Sequence, residues 1–223
     1  MLRQMEPSIV EYPDSDGEPM AETGFHVALM VYVIGMLRAF FHRRSDAYVG
    51  GNMFVYYEEG DPSQCVAPDT FVAFGVSPHE RRSWFLWQEG KAPDVVFEFT
   101  SRSTRAADQG SKRGLYAYLG VKEYFLFDPL GDYLRPNLQG FRLVDGAYQN
   151  IVLVDEQMHS EQLGLRLKAN GAQLDLYEAQ TNRRLLPPPE MTDALAEMTD
   201  ALAKAESEIS RLRAEVERLK KDA

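Results

Sequence analysis

An acid stands near the centre of one short, strongly apolar segment, residues 94–100. The valines and phenylalanines of this segment predict a strand, because branched and aromatic residues in a run of this length are typical of sheets. Alternate side chains of a strand share a face, so Glu98 lies on the same side as Asp94 and Thr100. A buried carboxylate costs free energy unless a partner compensates it. The segment therefore predicts a sheet that holds either a functional acid or an acid paired with an arginine.

A second acid, Asp69, opens another predicted strand. It follows Pro68 within the segment 66–76, which comes after the turn signal Gly60-Asp61-Pro62. Two adjacent strands that each offer a carboxylate to the same side predict a metal site with oxygen ligands. The alternative interpretation is that Asp69 caps a turn.

The helix predicted over 105–119 adds a lysine to these acids. Asp108, Lys112 and Tyr116 are spaced at i, i+4 and i+8, so they share one helix face, and Gly120 suits the helix end. A lysine beside a metal site can orient an attacking water or stabilise charge on a phosphate. The alternative is a solvent-exposed Asp108–Lys112 pair that contributes roughly 0.3–0.5 kcal/mol.

Residues 21–41 predict a long helix, because apolar side chains recur at four-residue steps. The longest apolar stretch contains His26 and Arg38 and is shorter than a membrane span requires. A buried central helix is therefore expected, with no membrane partner. On such a helix, His26 is more often a core residue than a ligand.

The cysteine and histidine content limits the kind of metal. Cys65 is the single cysteine and the four histidines are widely separated, which excludes a disulfide framework and a cysteine-rich zinc site. Any metal would be held mainly by oxygen ligands, which favours Mg²⁺ or Mn²⁺.

The net charge of −10 opposes tight binding to nucleic acid. Much of the excess lies at the two ends of the chain. Residues 1–20 carry five acids and one base, and residues 190–223 carry nine acids and six bases. The middle of the chain keeps 20 acids and 17 bases, so weak non-specific affinity for DNA is the expectation.

Residues 190–223 follow three consecutive prolines and have a heptad pattern. β-Branched residues at a and leucine at d favour a parallel two-stranded coiled coil, and hence a homodimer. In that arrangement Glu208 faces Arg213 of the partner strand, and Glu215 faces Lys220. The alternatives are a helix folded back onto its own domain and a helix paired with a different protein. The predicted seam residues are Leu195, Met198, Leu202, Ile209, Leu212, Val216 and Leu219.

Four segments are expected along the chain. They are a flexible acidic N-terminal arm over 1–20, a catalytic domain over 21–186, a proline linker over 187–189 and a dimerisation helix over 190–223. The first twenty residues are acidic and contain prolines, so no secretory signal is expected and a cytoplasmic location follows.

The segment from Pro93 to Pro129 has the sequence PDVVFEFTSRSTRAADQGSKRGLYAYLGVKEYFLFDP. It resembles the signature of the Uma-type restriction endonucleases, a large bacterial group within the PD-(D/E)xK nuclease superfamily. The upstream Ala67-Pro68-Asp69 and a helix bearing His26 also match, so the resemblance covers about residues 21–155. It implies an α/β (α+β) fold, in which a mixed β-sheet is flanked by helices, and Mg²⁺ or Mn²⁺ as cofactor. The coiled coil lies outside the resemblance.

Carried over by position, the resemblance assigns Asp69 and Glu98 as metal-binding acids and Lys112 as the catalytic lysine. The usual superfamily lysine stands two residues after the glutamate, where this chain has Thr100. Lys112 must therefore reach the site from the following helix. Supporting roles fall to Asp94, Asp108, Tyr116, His26 and Glu22.

These observations predict an endonuclease that hydrolyses DNA phosphodiester bonds. The second hypothesis is a nuclease fold retained without turnover, as a scaffold or DNA-associated partner, which the acidic charge favours. The third is a sugar hydrolase with paired carboxylates, for which the sequence has no signature of an aromatic-lined cleft.

Overall fold

The computed structural model describes residues 10–14 and 24–221, without the side chains of residues 214–221. The chain divides into two compact units, and the division falls between Leu185 and Leu186. The helices are α1 (Gly24–Phe41), α2 (Leu86–Glu89), α3 (Arg105–Gln109), α4 (Ser111–Tyr118) and α5 (Pro188–Lys221). The strands are β1 (Ala47–Gly50), β2 (Val55–Tyr56), β3 (Cys65–Val66), β4 (Thr70–Phe74), β5 (Trp84–Phe85), β6 (Val95–Phe99), β7 (Glu123–Phe127), β8 (Leu138–Val144), β9 (Ala147–Asn150), β10 (Leu153–Val154), β11 (Gln157–Ser160), β12 (Leu165–Asn170) and β13 (Gln173–Glu178).

A mixed six-stranded sheet organises the first unit. Its strand order is β1-β4-β6-β7-β8-β9, and only the central β6–β7 pair is parallel. A parallel pair requires a crossover connection, which α3 and α4 supply between those two strands. The predicted mixed sheet flanked by helices is therefore confirmed.

The two central strands are buried on both faces. On one face, α1 packs with Val95, Phe97 and Phe99 of β6, and on the other, Val96 packs with Tyr116 of α4. Burial on both sides explains why β6 is apolar at nearly every position, and why its one acid needs partners.

The helix α1 lies in this core as expected. It is long and apolar enough to cross a membrane by length and composition alone, a test that core helices also pass. Its buried residues are His26, Leu29, Met30, Val33, Met36, Leu37 and Phe41.

Two smaller sheets complete the first unit. The strands β3, β2 and β5 form one of them, and β10 to β13 form an antiparallel sheet of four strands. The predicted strand over 66–76 is divided into β3 and β4, because the intervening Pro68 offers no N–H for a strand ladder. The predicted helix over 105–119 is likewise divided, into α3 and α4 at Gly110.

Residues 10–14 of the predicted N-terminal arm lie against the first unit. Tyr12 packs on Tyr56, Phe85 and Trp87, and Asp14 pairs with Arg82.

The second unit is the single helix α5. It begins at Pro188, inside the proline run. Proline is tolerated there because the N–H groups of the first helical turn have no hydrogen-bond partner within the helix. The predicted seam residues described in it are exposed, from 48% at Leu212 to 70% at Met198. Glu208 pairs with Arg211 of its own helix at 2.7 Å. The side chains of Val216 and Leu219 lie outside the described residues, and the coiled coil stays a prediction.

Candidate active site

The register of the sheet brings the two predicted acids together. In the antiparallel β4–β6 pair, Thr70 stands opposite Phe97, so the next step places Asp69 opposite Glu98. The main chain confirms this placement, because Asp69 Oδ2 accepts a hydrogen bond from the Phe99 N–H at 2.6 Å. Both acids are nearly inaccessible to solvent, with 9% of Asp69 and 1% of Glu98 exposed.

Each oxygen of Glu98 has a donor from the helix α4. Lys112 Nζ lies 2.9 Å from Oε2, and the Tyr116 hydroxyl donates to Oε1 at 2.7 Å. The two donors are four residues apart, so one face of one short helix holds both sides of the carboxylate. The predicted shared face of Lys112 and Tyr116 is therefore directed at the acid.

Lys112 also contacts Asp108, whose Oδ1 lies 3.2 Å from Nζ. The helix breaks between these residues at Gly110, yet the predicted pair still forms. It is not a solvent-exposed pair, since only 1% of the Asp108 side chain and 21% of the Lys112 side chain are exposed. The lysine thus lies between two buried carboxylates.

These contacts set the charge state of the group. Burial, with the nearby Asp69 carboxylate, raises the pKa of Glu98 from 4.5 to about 8. Burial alone would lower the pKa of Lys112, but Glu98 and Asp108 outweigh it and raise that pKa. Burial, reinforced by Glu98, also holds the pKa of Tyr116 well above its usual value. The lysine is therefore charged at neutral pH, the tyrosine is neutral, and Glu98 takes up a proton easily.

His26 reaches the second carboxylate from α1. Its Nε2 lies 3.1 Å from Asp69 Oδ1, and its ring meets the edge of Phe99. The expectation of an ordinary core histidine is therefore incomplete, because this side chain also contacts an acid of the site.

Gly51 allows the chain to pass close behind the same acid. A Cβ at this position would lie 2.2 Å from the carbonyl oxygen of Asp69. The Asn52 N–H donates to the Pro68 carbonyl at 2.9 Å, which holds the loop after β1 against the segment that carries Asp69.

Two predicted supporting residues lie apart from this group. Asp94 occupies the opposite end of β6, where it accepts hydrogen bonds from the Phe74 N–H and from Lys91 and pairs with Lys122. These contacts brace the strand and do not involve Lys112. Glu22 lies outside the described residues.

Sequence reasoning missed the backbone contributions, namely the Phe99 N–H and the close approach at Gly51. Neither has a side-chain signal in the sequence. The sequence places Thr100 on the same face as Glu98 but does not predict the surroundings of its hydroxyl. The hydroxyl is buried and has no hydrogen-bond partner among the described residues.

The donor set suits a hard divalent cation. Among the described residues, no three or more Asp, Glu, His and Cys side chains are arranged so that together they could hold a metal ion. Mg²⁺ is often held by only one or two carboxylates, together with water and substrate phosphate. Asp69 Oδ2 and both oxygens of Glu98 each accept one hydrogen bond from the protein and keep a second lone pair, and Asp69 Oδ1 lies 3.1 Å from His26 Nε2. The pair can therefore hold such an ion.

The mixed sheet with helices on both faces gives the protein an α/β (α+β) fold. A family model described as "Putative restriction endonuclease", Uma2, matches residues 1–176. The chain belongs to this family, as the resemblance predicted, and its family is one of nucleases.

No curated protein matches the chain. A solved structure that matches is a putative nuclease of the DUF820 group from Anabaena variabilis, at 17% identity and a TM-score of 0.47. The match covers 66% of this chain and 76% of the other.

Proposed function

We propose that the protein is a DNA endonuclease that requires Mg²⁺ or Mn²⁺ and acts in the cytoplasm. The observation that carries this proposal is the convergence of Asp69, Glu98 and Lys112, with the two acids side by side and the lysine 2.9 Å from Glu98. A bound divalent ion supplies polarisation of the phosphodiester and a water of lowered pKa. Asp69 and Glu98 are the residues that would hold it.

The remaining side chains position the two acids and balance their charge. Lys112 carries a positive charge beside the acids, so it can hold the attacking water or stabilise charge on the phosphate. Tyr116 holds one oxygen of Glu98 by a hydrogen bond, and His26 lies 3.1 Å from one oxygen of Asp69. Asp108 holds Lys112 in place, because its buried carboxylate lies 3.2 Å from the lysine Nζ.

We further propose that α5 joins two copies of the chain as a parallel coiled coil. The exposed apolar side chains of this helix support the proposal, because a lone helix would leave them in water. Two catalytic domains on one stalk would suit cleavage of both DNA strands.

Cleavage of plasmid DNA with Mg²⁺ or Mn²⁺ tests the catalytic proposal. Wild type is expected to cut, and Glu98→Ala and Lys112→Ala are expected to lose the activity. Lys122→Ala is a matched control, because this lysine also pairs with a buried acid, Asp94, but lies at the other end of β6. Equal activity in wild type, Glu98→Ala and Lys112→Ala, or no activity with any metal, would contradict the proposal.

A second function is favoured by one observation. Both oxygens of Glu98 are already engaged by Lys112 and Tyr116, which would suit a scaffold without turnover. Calorimetry with Mn²⁺ separates the two functions. The nuclease is expected to bind the ion with wild-type residues and not with Glu98→Ala, whereas a scaffold need not bind it at all.

A further inference from the structure

The N-terminal segment 10–14 places an aromatic ring on three others. The Tyr12 ring lies 5.1, 5.5 and 5.4 Å from the rings of Tyr56, Phe85 and Trp87, measured between centroids. These three rings, here called the aromatic platform, also contact one another, with Tyr56 stacked on Phe85 at 5.3 Å. Phe85 and Trp87 keep part of their surface exposed although Tyr12 covers them.

The same segment places an anion on an arginine. The Arg82 Nε donates to Asp14 Oδ2 at 2.6 Å. The side chain of Arg82 nevertheless remains 88% exposed, so a ligand can reach it. The neighbouring Arg81 has only 4% of its side chain exposed and is bound to Glu89 at 2.6 Å. Arg82, which is paired with the segment that covers the platform, is therefore a cation open to an exchange of partners.

A flat ring held among aromatic rings, with an anion on a guanidinium beside it, has the chemistry of one nucleotide. We propose that the aromatic platform and Arg82 form a subsite for an unpaired nucleotide of single-stranded DNA. Tyr12 and Asp14 occupy this subsite in the free chain, in place of the base and the phosphate. The inference rests on the proposed function for its choice of DNA as ligand.

The position of the platform supports this role. Tyr56 of β2 stands opposite Cys65 of β3, which precedes Asp69 by four residues. That length of chain spans at most about 14 Å. A strand of DNA whose phosphate lies at Asp69 can therefore place a nearby base on the platform.

The surrounding charge limits the subsite to a small ligand. Glu58 and Glu59 are exposed on the turn that follows Tyr56 and Tyr57, and they repel further phosphates. One base and one phosphate satisfy the platform and Arg82 without approaching these acids closely. The subsite is therefore expected to bind weakly and to depend on the rest of the strand for affinity.

The alternative is that the segment is a structural brace. The Tyr12 hydroxyl accepts a hydrogen bond from the Gly60 N–H, and the Tyr56 hydroxyl donates to the Pro13 carbonyl. A brace would not compete with DNA, which separates the two interpretations.

Anisotropy of a fluorescein-labelled ten-nucleotide thymidine strand tests the inference on the full chain, in EDTA and low salt. The double variant Tyr12→Ala/Asp14→Asn opens the subsite and is expected to bind at least about threefold more tightly than wild type. Trp87→Ala is expected to bind about fivefold to a hundredfold more weakly, the range for loss of one stacked base. Arg82→Ala is also expected to weaken binding. Arg44→Ala is the matched control, since Arg44 is exposed and paired with Asp46 in the same way, and it should bind as wild type does.

Two results would overturn the inference. One is unchanged or weaker binding by a folded double variant, which would make the segment a brace. The other is equal binding by Arg82→Ala and Arg44→Ala, including no binding by either. If the double variant fails to fold, the comparison of these two arginine variants tests the subsite by itself. EDTA prevents metal-dependent cleavage during the binding assay. If binding follows these predictions but the plasmid assay shows no cleavage, only the proposed function is rejected. Cleavage together with equal binding by the two arginine variants would reject only the subsite.

Discussion

Lys112 Nζ lies 2.9 Å from Glu98 Oε2 and reaches it from α4, fourteen residues further along the chain. The position two residues after Glu98, just beyond the end of β6, is occupied by Thr100. The helix thus brings the charge to a carboxylate that a strand lysine would otherwise approach. This relationship motivates the first prediction.

Moving the lysine from the helix to the strand should restore part of the activity that its removal abolishes. We expect Lys112→Ala to reduce cleavage at least about a hundredfold, because stabilisation of charge at a buried site is a large catalytic contribution. The double variant Thr100→Lys/Lys112→Ala should recover a measurable part of it in a plasmid assay. Thr100→Lys alone, with both lysines competing for Glu98, serves as the control. Failure of the double variant to exceed Lys112→Ala would show that the strand position cannot serve this site.

The metal-free protein should lose stability as the pH rises from about 4.5 towards about 8. Glu98 binds its proton more tightly in the folded state, so its favourable contribution is complete below pH 4.5 and is lost as pH approaches its folded pKa of about 8. The free energy of unfolding can change by at most about 5 kcal/mol through this one group. Thermal unfolding in EDTA at a series of pH values measures it, and Glu98→Gln should flatten the curve. An unchanged slope in that variant would assign the effect to other groups.

Added Mn²⁺ should raise Tm more at pH 8 than at pH 5. A proton and the metal compete for the Glu98 carboxylate, and a ligand that binds only the folded state stabilises it. Differential scanning calorimetry with and without Mn²⁺ checks this. Mn²⁺ should raise the Tm of Glu98→Gln little at either pH. An equal rise in wild type and in Glu98→Gln would show that the metal binds elsewhere.

Replacing the Thr100 hydroxyl by a methyl group should not destabilise the protein. Its oxygen is buried without a hydrogen-bond partner among the described residues, so Thr100→Val is expected to be neutral or to stabilise by about 1 kcal/mol. Thr70→Val is the matched control, because the Thr70 hydroxyl is also buried without a hydrogen-bond partner among the described residues. Thr70 is also the residue next to Asp69. Urea unfolding measures both. A loss of more than about 1 kcal/mol at Thr100 alone would reveal a bound water or a partner.

Gly51→Ala should impair both stability and cleavage. Its Cβ would meet the Asp69 carbonyl at 2.2 Å, so the chain must shift, at a cost of roughly 1–3 kcal/mol. Gly114→Ala in α4 is the control, since nothing lies within 4 Å of its Cβ and it should stabilise by about 0.5–1 kcal/mol. Denaturant unfolding should show a loss of stability for Gly51→Ala and a gain for Gly114→Ala, and plasmid cleavage should fall only for Gly51→Ala.

A charge in the predicted seam of α5 should abolish dimerisation. Ile209→Lys introduces a charge at an a position, whereas Ser207→Lys introduces it on the outer face of the same helix. Sedimentation equilibrium is expected to show dimers for wild type and Ser207→Lys, and monomers for Ile209→Lys. A monomeric wild type would reject the coiled coil.

Strand alternation predicts which face each carboxylate takes within its own strand, but the meeting of Asp69 and Glu98 also depends on the pairing of β4 with β6 in the observed register. The bounds of β7 were predictable, since its apolar run ends at Asp128-Pro129. The reach of Lys112 was not, because it depends on how α4 packs after the break at Gly110. The sheet of β10 to β13 was also beyond prediction, since its short strands are defined by their pairing more than by their composition.

The placement of the lysine on α4 has a consequence for searches of genomes by sequence pattern. A pattern that requires a lysine two positions after the glutamate passes over this chain, because that position holds Thr100. A pattern that instead requires a lysine fourteen positions after the glutamate, and a tyrosine one helical turn later, describes the same charge arrangement. We expect such a pattern to recover nucleases whose strand position has been free to vary.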